Sequence, residues 1–492
     1  MKFISTRGKD VASCAAEAIV KGLAFDGGLF VPETFPDLTD SILNIAEMSY
    51  PERAAFILSK YLEEYDYNEL LDACKKAYGK FDTEEVVPVV KTDDKFYIME
   101  LFHGPTLAFK DVALTLLPYL LRKGCDILKV KEKVLILTAT SGDTGKAALE
   151  GFRDNDGVSI MVFYPSEGVS DMQKLQMCTQ EGGNVNVVAV NGDFDDCQTA
   201  VKKIFSDKKF NADLKEKGII LSSANSINFG RLAPQITYYF SAYVDLLNSG
   251  EINMGDKVDF IVPTGNFGDI LAGYYAKKMG LPIGKLVCAS NSNNVLTEFF
   301  ASGNYDSDRE FYKTMSPSMD ILISSNLERL IFEICKRDAS LTASRMDELK
   351  NSSHYSISEK ERAVLNEDFY ADYCDEDECA STISDFYNEF GYVLDPHTAV
   401  AVDCADSYLC FSESDNPVVV LSTASPFKFS QNVLKSITGK RVADAFIAAE
   451  KLSDLSAVDV PEQISSLKKK ERRFTAVIEK TKAQEAVADF IK

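Results

Sequence analysis

Hydrophobic and polar positions divide the chain into three regimes. From Lys95 onward, short runs that are apolar at nearly every position alternate with helical stretches: KFYIMELF, KVLILTAT, VSIMVFYP, VNVVAV, GIILSSAN, DFIVPTGN, KLVCASN and, late in the chain, PVVVLSTAS. Strands apolar on both faces and separated by helices belong to parallel sheets covered on both sides. Between residues 300 and 388 that rhythm stops, and charged segments such as SRMDELKNS and ISEKERAVLNEDF predict a helical insertion between sheet strands. Residues 1–95 mix helical patterns with the punctuated FDGGLFVPETFP, where Gly27 and Gly28 predict a tight turn before a short strand that ends at a proline. The pattern therefore predicts an α/β fold with two parallel-sheet domains. Its expected divisions are an N-terminal unit at 1–95, a first α/β domain at 96–225, a second at 226–300 plus 389–435, the helical insertion at 301–388 and a C-terminal segment at 436–492.

A chain of 492 residues exceeds the size at which one core stops growing, about 250–300 residues, which agrees with more than one packed unit. The formal charge of 53 − 75 = −22 repels phosphodiester backbones and anionic lipid, so nucleic-acid and membrane partners are not expected and the substrate is expected to be small. The opening MKFISTRGKD has no continuous apolar stretch, and no run of 18 apolar residues follows, so neither export nor a membrane span is expected. Eleven cysteines occur without a CxxC pair, and the nearest two, Cys374 and Cys379, lie in DYCDEDEC with no histidine close by. Reduced thiols in the cytoplasm, and no metal site, are the expectation. Monomer and homodimer are not distinguished.

In open parallel sheets, ligands bind beyond the carboxyl ends of the strands. Four stretches occupy such positions: TSGDTGKAALEG after KVLILTA, PTGNFGDILAGYYA after DFIV, STASPFKF after PVVVL, and ANSINFGRLAPQ after GIILSS. Each is small and polar, as anion-binding loops are, because glycines let successive N–H groups converge and the following helix adds its positive end. A plain connector is the alternative for any one of them. SGDTGK is too short for a nucleotide P-loop, since two residues separate Gly142 from Gly145 and Ala147 stands where the magnesium-binding hydroxyl would be. Its DTG has no twin, unlike the paired aspartates of aspartic proteases. Lys110, in FHGPTLAFKDVALTLL, is surrounded by Leu107, Ala108, Phe109, Val112, Ala113 and Leu114. A buried amine loses its proton readily and suits Schiff-base chemistry; a lysine snorkelling from a helix edge is the structural alternative. A buried lysine, several anion loops and a hydroxyl-rich strand end are together what a pyridoxal 5′-phosphate enzyme needs.

The motifs STRG, GLAFDGGLFVPE, HGPTLAFKD, TSGDTG, NSINFGRL, PTGNFGD, DPHTA and STASPFKF stand in this order. Through them the chain resembles, over nearly its whole length, the threonine synthases of the longer fungal and bacterial type, pyridoxal-phosphate enzymes of fold-type II with a tryptophan synthase β-like architecture. The resemblance implies that Lys110 carries pyridoxal 5′-phosphate as a Schiff base, that Gly265, Asn266, Phe267 and Gly268 wrap the cofactor phosphate with Asp269 close by, and that Thr423 meets the ring nitrogen. It implies further that Ser141, Gly142, Asp143 and Thr144 receive the substrate carboxylate, where relatives handling serine often carry Asn in place of Asp143. Asn225, Ser226 and Arg231 would bind the substrate phosphate. The implied reaction converts O-phospho-L-homoserine and water to L-threonine and phosphate, the last step of threonine biosynthesis, with Lys110 as the base. His103 and His397 read as structural hydrogen-bonders. The alternatives are another pyridoxal-phosphate phospholyase or a hydroxy-amino-acid dehydratase on the same fold, and, outside that class, a non-catalytic phosphometabolite-binding protein with an idle Lys110.

Overall fold

In the computed structural model, which describes residues 1–140, 142–167, 169–412 and 414–491, the apolar runs form two parallel sheets. Five strands make one, in the order Val477–Glu479, Val185–Asn191, Val158–Pro165, Lys133–Ala139 and Ile219–Ser222, with every pair parallel. Six make the other, in the order Phe369–Tyr373, Ile283–Ser290, Val258–Pro263, Val418–Ser422, Phe96–Glu100 and Val89–Asp93, parallel except for the last pair. The central strands Lys133–Ala139, Val258–Pro263 and Val418–Ser422 are buried almost end to end, because helices cover both faces of each sheet.

Three strands depart from the expected divisions. The expected divisions place Phe96–Glu100 with the SGDTG region, yet its register with Val418–Ser422, from Phe96 opposite Val418 to Glu100 opposite Ser422, puts it in the six-stranded sheet. An apolar run looks the same whichever sheet receives it, and its partner lies far away in sequence. Phe369–Tyr373 emerges from the region expected to be a helical insertion and Val477–Glu479 from the C-terminal segment; both are partly exposed edge strands and so lack a continuous apolar run. The boundary near residue 95 also falls inside a strand pair, Val89–Asp93 with Phe96–Glu100.

The N-terminal unit opens with a three-stranded antiparallel sheet in the order Val11–Ala12, Phe3–Ser5, Phe30–Pro32. Its expected turn is present: Gly27 has φ +80°, and a Cβ on Gly28 would stand 2.2 Å from Ser5 Oγ, so only glycine fits. Helices Tyr50–Ser59 and Tyr67–Tyr78 follow, started by the Ser49–Glu52 capping box and by the Asp66 cap. The insertion supplies helices Leu327–Ile334, Ala339–Ser352, Glu359–Asp368 and Glu376–Phe390. Between strands Asn304–Asp306 and His354–Ser356 the chain runs back to the sheet ends, where Pro317–Met319 makes a single 3-10 turn.

The 20-residue helix Phe229–Asn248 is buried along most of its length and packs against the N-terminal helices and Gly268–Lys278. A helix apolar on all sides is stable only inside the molecule. The side chain of Asn228 caps it by accepting the Gly230 N–H at 2.9 Å. This helix carries Arg231 into the interior, 2% exposed.

Candidate active site

The carboxyl ends of the two sheets turn toward one another. Lys110 begins the helix Lys110–Leu114 after strand Phe96–Glu100, and Asp143 begins the helix Asp143–Phe152 after strand Lys133–Ala139. Lys110 Nζ, on a side chain 11% exposed, lies 4.0 Å from Asp143 Oδ2 and 3.4 Å from Ser318 Oγ, with the Phe109 ring centroid 4.7 Å away. Burial lowers its pKa to about 8; Asp143 opposes that fall, while Lys428 and Arg231 add to it. A lysine in this state holds a useful fraction of free amine near neutral pH.

Asp143 is a buried carboxylate with a full set of donors: Lys428 Nζ at 2.7 Å and Gln173 Nε2 at 2.9 Å on Oδ1, and Ser318 Oγ at 3.2 Å on Oδ2. Burial alone would raise its pKa, but Lys428 and then Lys110 outweigh this and hold it well below the usual carboxylate range. The Asp143 side chain thus offers no donor to a substrate carboxylate. A second carboxylate beside it would be repelled, and its oxygens are already occupied. Ser141 lies outside the described residues.

The GNFGD loop follows strand Val258–Pro263 and leads into the helix Gly268–Lys278, with Phe267 at φ +62°. Its carbonyls are tied down: Ser324 Oγ donates to Gly265 O at 2.7 Å, and Asn326 donates its N–H and Nδ2 to Asn266 O, each at 3.1 Å. The N–H groups of Gly265, Asn266, Phe267 and Gly268 donate to nothing among the described residues. Gly265 lets the Pro317–Met319 turn approach, since a Cβ there would sit 3.0 Å from Ser318 O. Burial raises the Asp269 pKa to about 6, against hydrogen bonds from Tyr238 and Tyr239; Tyr239 OH stands 3.0 Å from Oδ1, while Oδ2 is buried without a partner among the described residues.

Ser226 packs against Gly268, its Cβ 3.8 Å from where a Gly268 Cβ would lie. The neighbouring Asn225 Oδ1 and the Arg231 Nε are both buried and without a partner among the described residues. Arg231 gives one bond, Nη1 to Ala224 O at 2.7 Å, and has no carboxylate partner among the described residues; burial lowers its pKa to about 10. An uncompensated buried guanidinium is rare because its desolvation is costly, and an anionic ligand would relieve it. Thr423, 5% exposed, is joined to the Lys110 segment through its carbonyl, which accepts the Phe109 N–H at 2.9 Å. Its hydroxyl has no hydrogen-bond partner among the described residues. Thus Lys110, Asp143, Asp269, Arg231, the GNFGD loop, Ser226 and Thr423 converge on one region.

The sequence reading missed Lys428, Ser318 and Gln173. Lys428 carried a signal: it is flanked by Phe427 and Phe429, as Lys110 follows Phe109. Ser318 had none, being one serine in a segment expected to be helical. The two motif histidines both have firm partners. His103 lies between Asp82 at 2.6 Å and Glu100 at 2.8 Å, and His397 Nδ1 is 2.7 Å from Asp395 while its Nε2 accepts the Ser318 N–H at 3.2 Å. All eleven cysteines are free thiols. The ligand atoms of Cys374, Glu378 and Asp403 lie within 4.8 Å of one another, but the Cys374 thiol donates to Asp375 O and Glu378 accepts the Asp375 N–H.

Three family models match the chain: "Threonine synthase N terminus" over residues 2–78, "Pyridoxal-phosphate dependent enzyme" over 85–423, and "Threonine synthase, C-terminal" over 398–491. The chain is 40% identical to threonine synthase of Pseudomonas aeruginosa over 448 residues, 90% of this chain and 92% of that protein. It is 40% identical to threonine synthase of Saccharomyces cerevisiae over 452 residues, 86% of each. Human threonine synthase-like 1 is 42% identical over 460 residues, 89% of this chain but 61% of that longer protein, so the chain spans about three fifths of such relatives. The crystal structure of PLP-bound threonine synthase from Brucella melitensis superposes with a TM-score of 0.88 at 38% identity, covering 100% of both chains. The yeast threonine synthase structure also gives 0.88, at 36% identity over 100% of this chain and 98% of that one. With two converging parallel sheets, a buried lysine at their junction and these relatives along its whole length, the chain belongs to the threonine synthase family of pyridoxal-phosphate dependent enzymes.

Proposed function

We propose that this chain is a threonine synthase, converting O-phospho-L-homoserine and water to L-threonine and phosphate. The observation that carries the reading is Arg231, a buried guanidinium whose Nε has no partner and which has no carboxylate partner among the described residues. Such a group is built for a dianion, and a protein of charge −22 retains a phosphorylated substrate only with a local fork of donors.

The residues present fit the family's cofactor. The open N–H groups of Gly265 to Gly268, at the start of the helix Gly268–Lys278, suit its phosphate. The Thr423 hydroxyl, without a partner among the described residues, suits the ring nitrogen, and a neutral partner there would leave that nitrogen largely unprotonated. Pyridoxal 5′-phosphate bound at Lys110 would supply an electron sink for the charge left when a substrate proton departs. The Lys110 amine, which burial makes less basic, would take the α proton and return protons in later steps. Arg231, Asn225 and Ser226 hold the substrate phosphate and stabilise it as it leaves with full charge. The helix start at Asp143 and Thr144, rather than the Asp143 side chain, receives the substrate carboxylate. Asp269, bonded to Tyr238 and Tyr239, fixes the first turn behind the GNFGD loop.

The enzyme would act on this small molecule in the cytoplasm, as a monomer or homodimer. Its free thiols support a reducing compartment, and no helix among the described residues is long and apolar enough to cross a membrane. Purified protein incubated with O-phospho-L-homoserine tests the reading. Threonine and phosphate in equal amounts support it; 2-oxobutyrate and ammonia without threonine would replace it with a phospholyase.

A further inference from the structure

No step above uses the second lysine of the site. Lys428 lies in the turn Pro426–Phe429 just beyond Thr423, and its side chain is 0% exposed. Its ammonium has two partners, Asp143 Oδ1 at 2.7 Å and Thr106 O at 3.0 Å. Thr106 in turn donates its N–H and its hydroxyl to Asp111, at 2.7 and 2.6 Å, in the residue after Lys110. The other Asp143 oxygen faces Lys110 Nζ at 4.0 Å. One buried carboxylate therefore stands between two lysines. An amine alone beside a buried carboxylate keeps its proton, and a protonated amine is neither nucleophile nor base.

We propose that Lys428 is a positioning residue that draws the Asp143 carboxylate away from Lys110, leaving the Lys110 amine free to react. The proposal rests on the reading of Lys110 as the reactive lysine. The other charged groups around Lys110 do not substitute for Asp143. Asp269, on Gly268–Lys278, is engaged by Tyr238 and Tyr239; Asp111, on the same helix, is engaged by Thr106; Arg231, on Phe229–Asn248, is a cation. From the insertion segment, Asp320 is taken up by Thr314 and Asn291, and His397 behind Ser318 by Asp395. The direction of the Lys110 shift agrees: Asp143 holds the proton on and Lys428 drives it off.

The sign of each substitution follows. Lys428→Met leaves Asp143 to face Lys110 alone, so the Lys110 titration midpoint rises; an opposite charge at this range is worth about 1–3 pH units. Lys428→Arg keeps the charge and restores the midpoint. Asp143→Asn removes the carboxylate, keeps Lys428, and lowers the midpoint.

The test is competitive acetylation of the full-length protein freed of cofactor, with trace acetic anhydride across pH 6–11. Acetylation at Lys110 is read by peptide mass spectrometry and folding by a thermal melt. In the unaltered protein, Lys110 should titrate well below the value near 10.4 of an ordinary lysine; a midpoint there would sink the reactive-lysine reading itself. Given a low midpoint, a folded Lys428→Met protein should show a rise of about one unit or more, a roughly tenfold loss of free amine at pH 7. An unmoved midpoint, or a rise equalled by Lys428→Arg, would overturn the role given to Lys428. If Lys428→Met does not fold, Asp143→Asn decides: a lowered midpoint supports the proposal, and an unchanged or raised one refutes it.

Discussion

Replacing Arg231 with leucine separates what this residue does for the fold from what it does for the reaction. Its pKa falls from 12.5 to about 10 on burial, which corresponds to roughly 3 kcal/mol against the charged form. Its bond to Ala224 O at 2.7 Å returns about 1.5–3 kcal/mol, as hydrogen bonds from charged donors do, and losing it leaves a carbonyl unsatisfied at about 1–3 kcal/mol. Leucine removes the desolvated charge along with the bond, so the net change in stability lies between a gain of about 0.5 and a loss of about 3 kcal/mol. For a chain of this size that is a melting shift of no more than about a few degrees. Catalysis is affected much more. Two charge-assisted bonds to a departing phosphate are worth about 3–6 kcal/mol, or roughly 10²–10⁴-fold in kcat/KM. The assay compares phosphate release from O-phosphohomoserine with processing of an unphosphorylated amino acid, alongside a thermal melt and the visible spectrum. The expected variant melts normally, keeps its bound cofactor and fails selectively on the phosphorylated substrate. A parallel fall on both substrates with a melting loss above about 10 °C would mean that Arg231 only anchors its helix, and the phosphate-site reasoning would be wrong.

Lys110→Met should raise the stability of the cofactor-free protein at pH 7. The depressed Lys110 pKa, about 8 against 10.5 unfolded, means that burial of the ammonium costs up to roughly 3 kcal/mol below pH 8, relieved as pH climbs to 10.5; urea unfolding should find the gain at pH 7 and little at pH 10.5, and an equal gain at both would contradict the buried-ammonium account. Thr423→Val should weaken cofactor affinity by about 0.5–1.5 kcal/mol, roughly two- to tenfold, and an unchanged dissociation constant in a spectroscopic titration would remove Thr423 from the site. His103 is pulled down by burial, but Glu100 and Asp82 outweigh this and raise its pKa, so its stabilising effect is present at low pH and lost as pH rises through that raised value. His103→Asn should therefore cost stability at pH 6 and little at pH 9, and a loss independent of pH would show the imidazole acting through packing alone.

What could be read from the residues was governed by burial. Central strands such as Lys133–Ala139 and Val418–Ser422 are covered on both faces, so their apolar runs declare them. The edge strands Phe369–Tyr373 and Val477–Glu479 are half wet and look like anything else. Sheet membership was not legible either, because Phe96–Glu100 finds its partner more than three hundred residues away. In the site, Lys110 betrayed itself by apolar neighbours, and the GNFGD and NSINFGR loops by glycines and donors at strand ends. The direction of the Asp143 side chain was hidden, since it depends on Lys428, Gln173 and Ser318, which three distant segments bring to it. Residue types announce the chemistry available at a strand end; which groups neutralise one another is decided by packing.

The proposed reaction cleaves the carbon–oxygen bond of the phosphoester and adds water at the β carbon, so running it in ¹⁸O-labelled water tests it most directly. Mass spectrometry should find one ¹⁸O in the threonine hydroxyl and none in the released phosphate, with the two products in equal amounts. Labelled phosphate accompanied by homoserine would mean simple hydrolysis of the ester, and 2-oxobutyrate with ammonia would mean elimination without rehydration; either result would contradict threonine synthase activity.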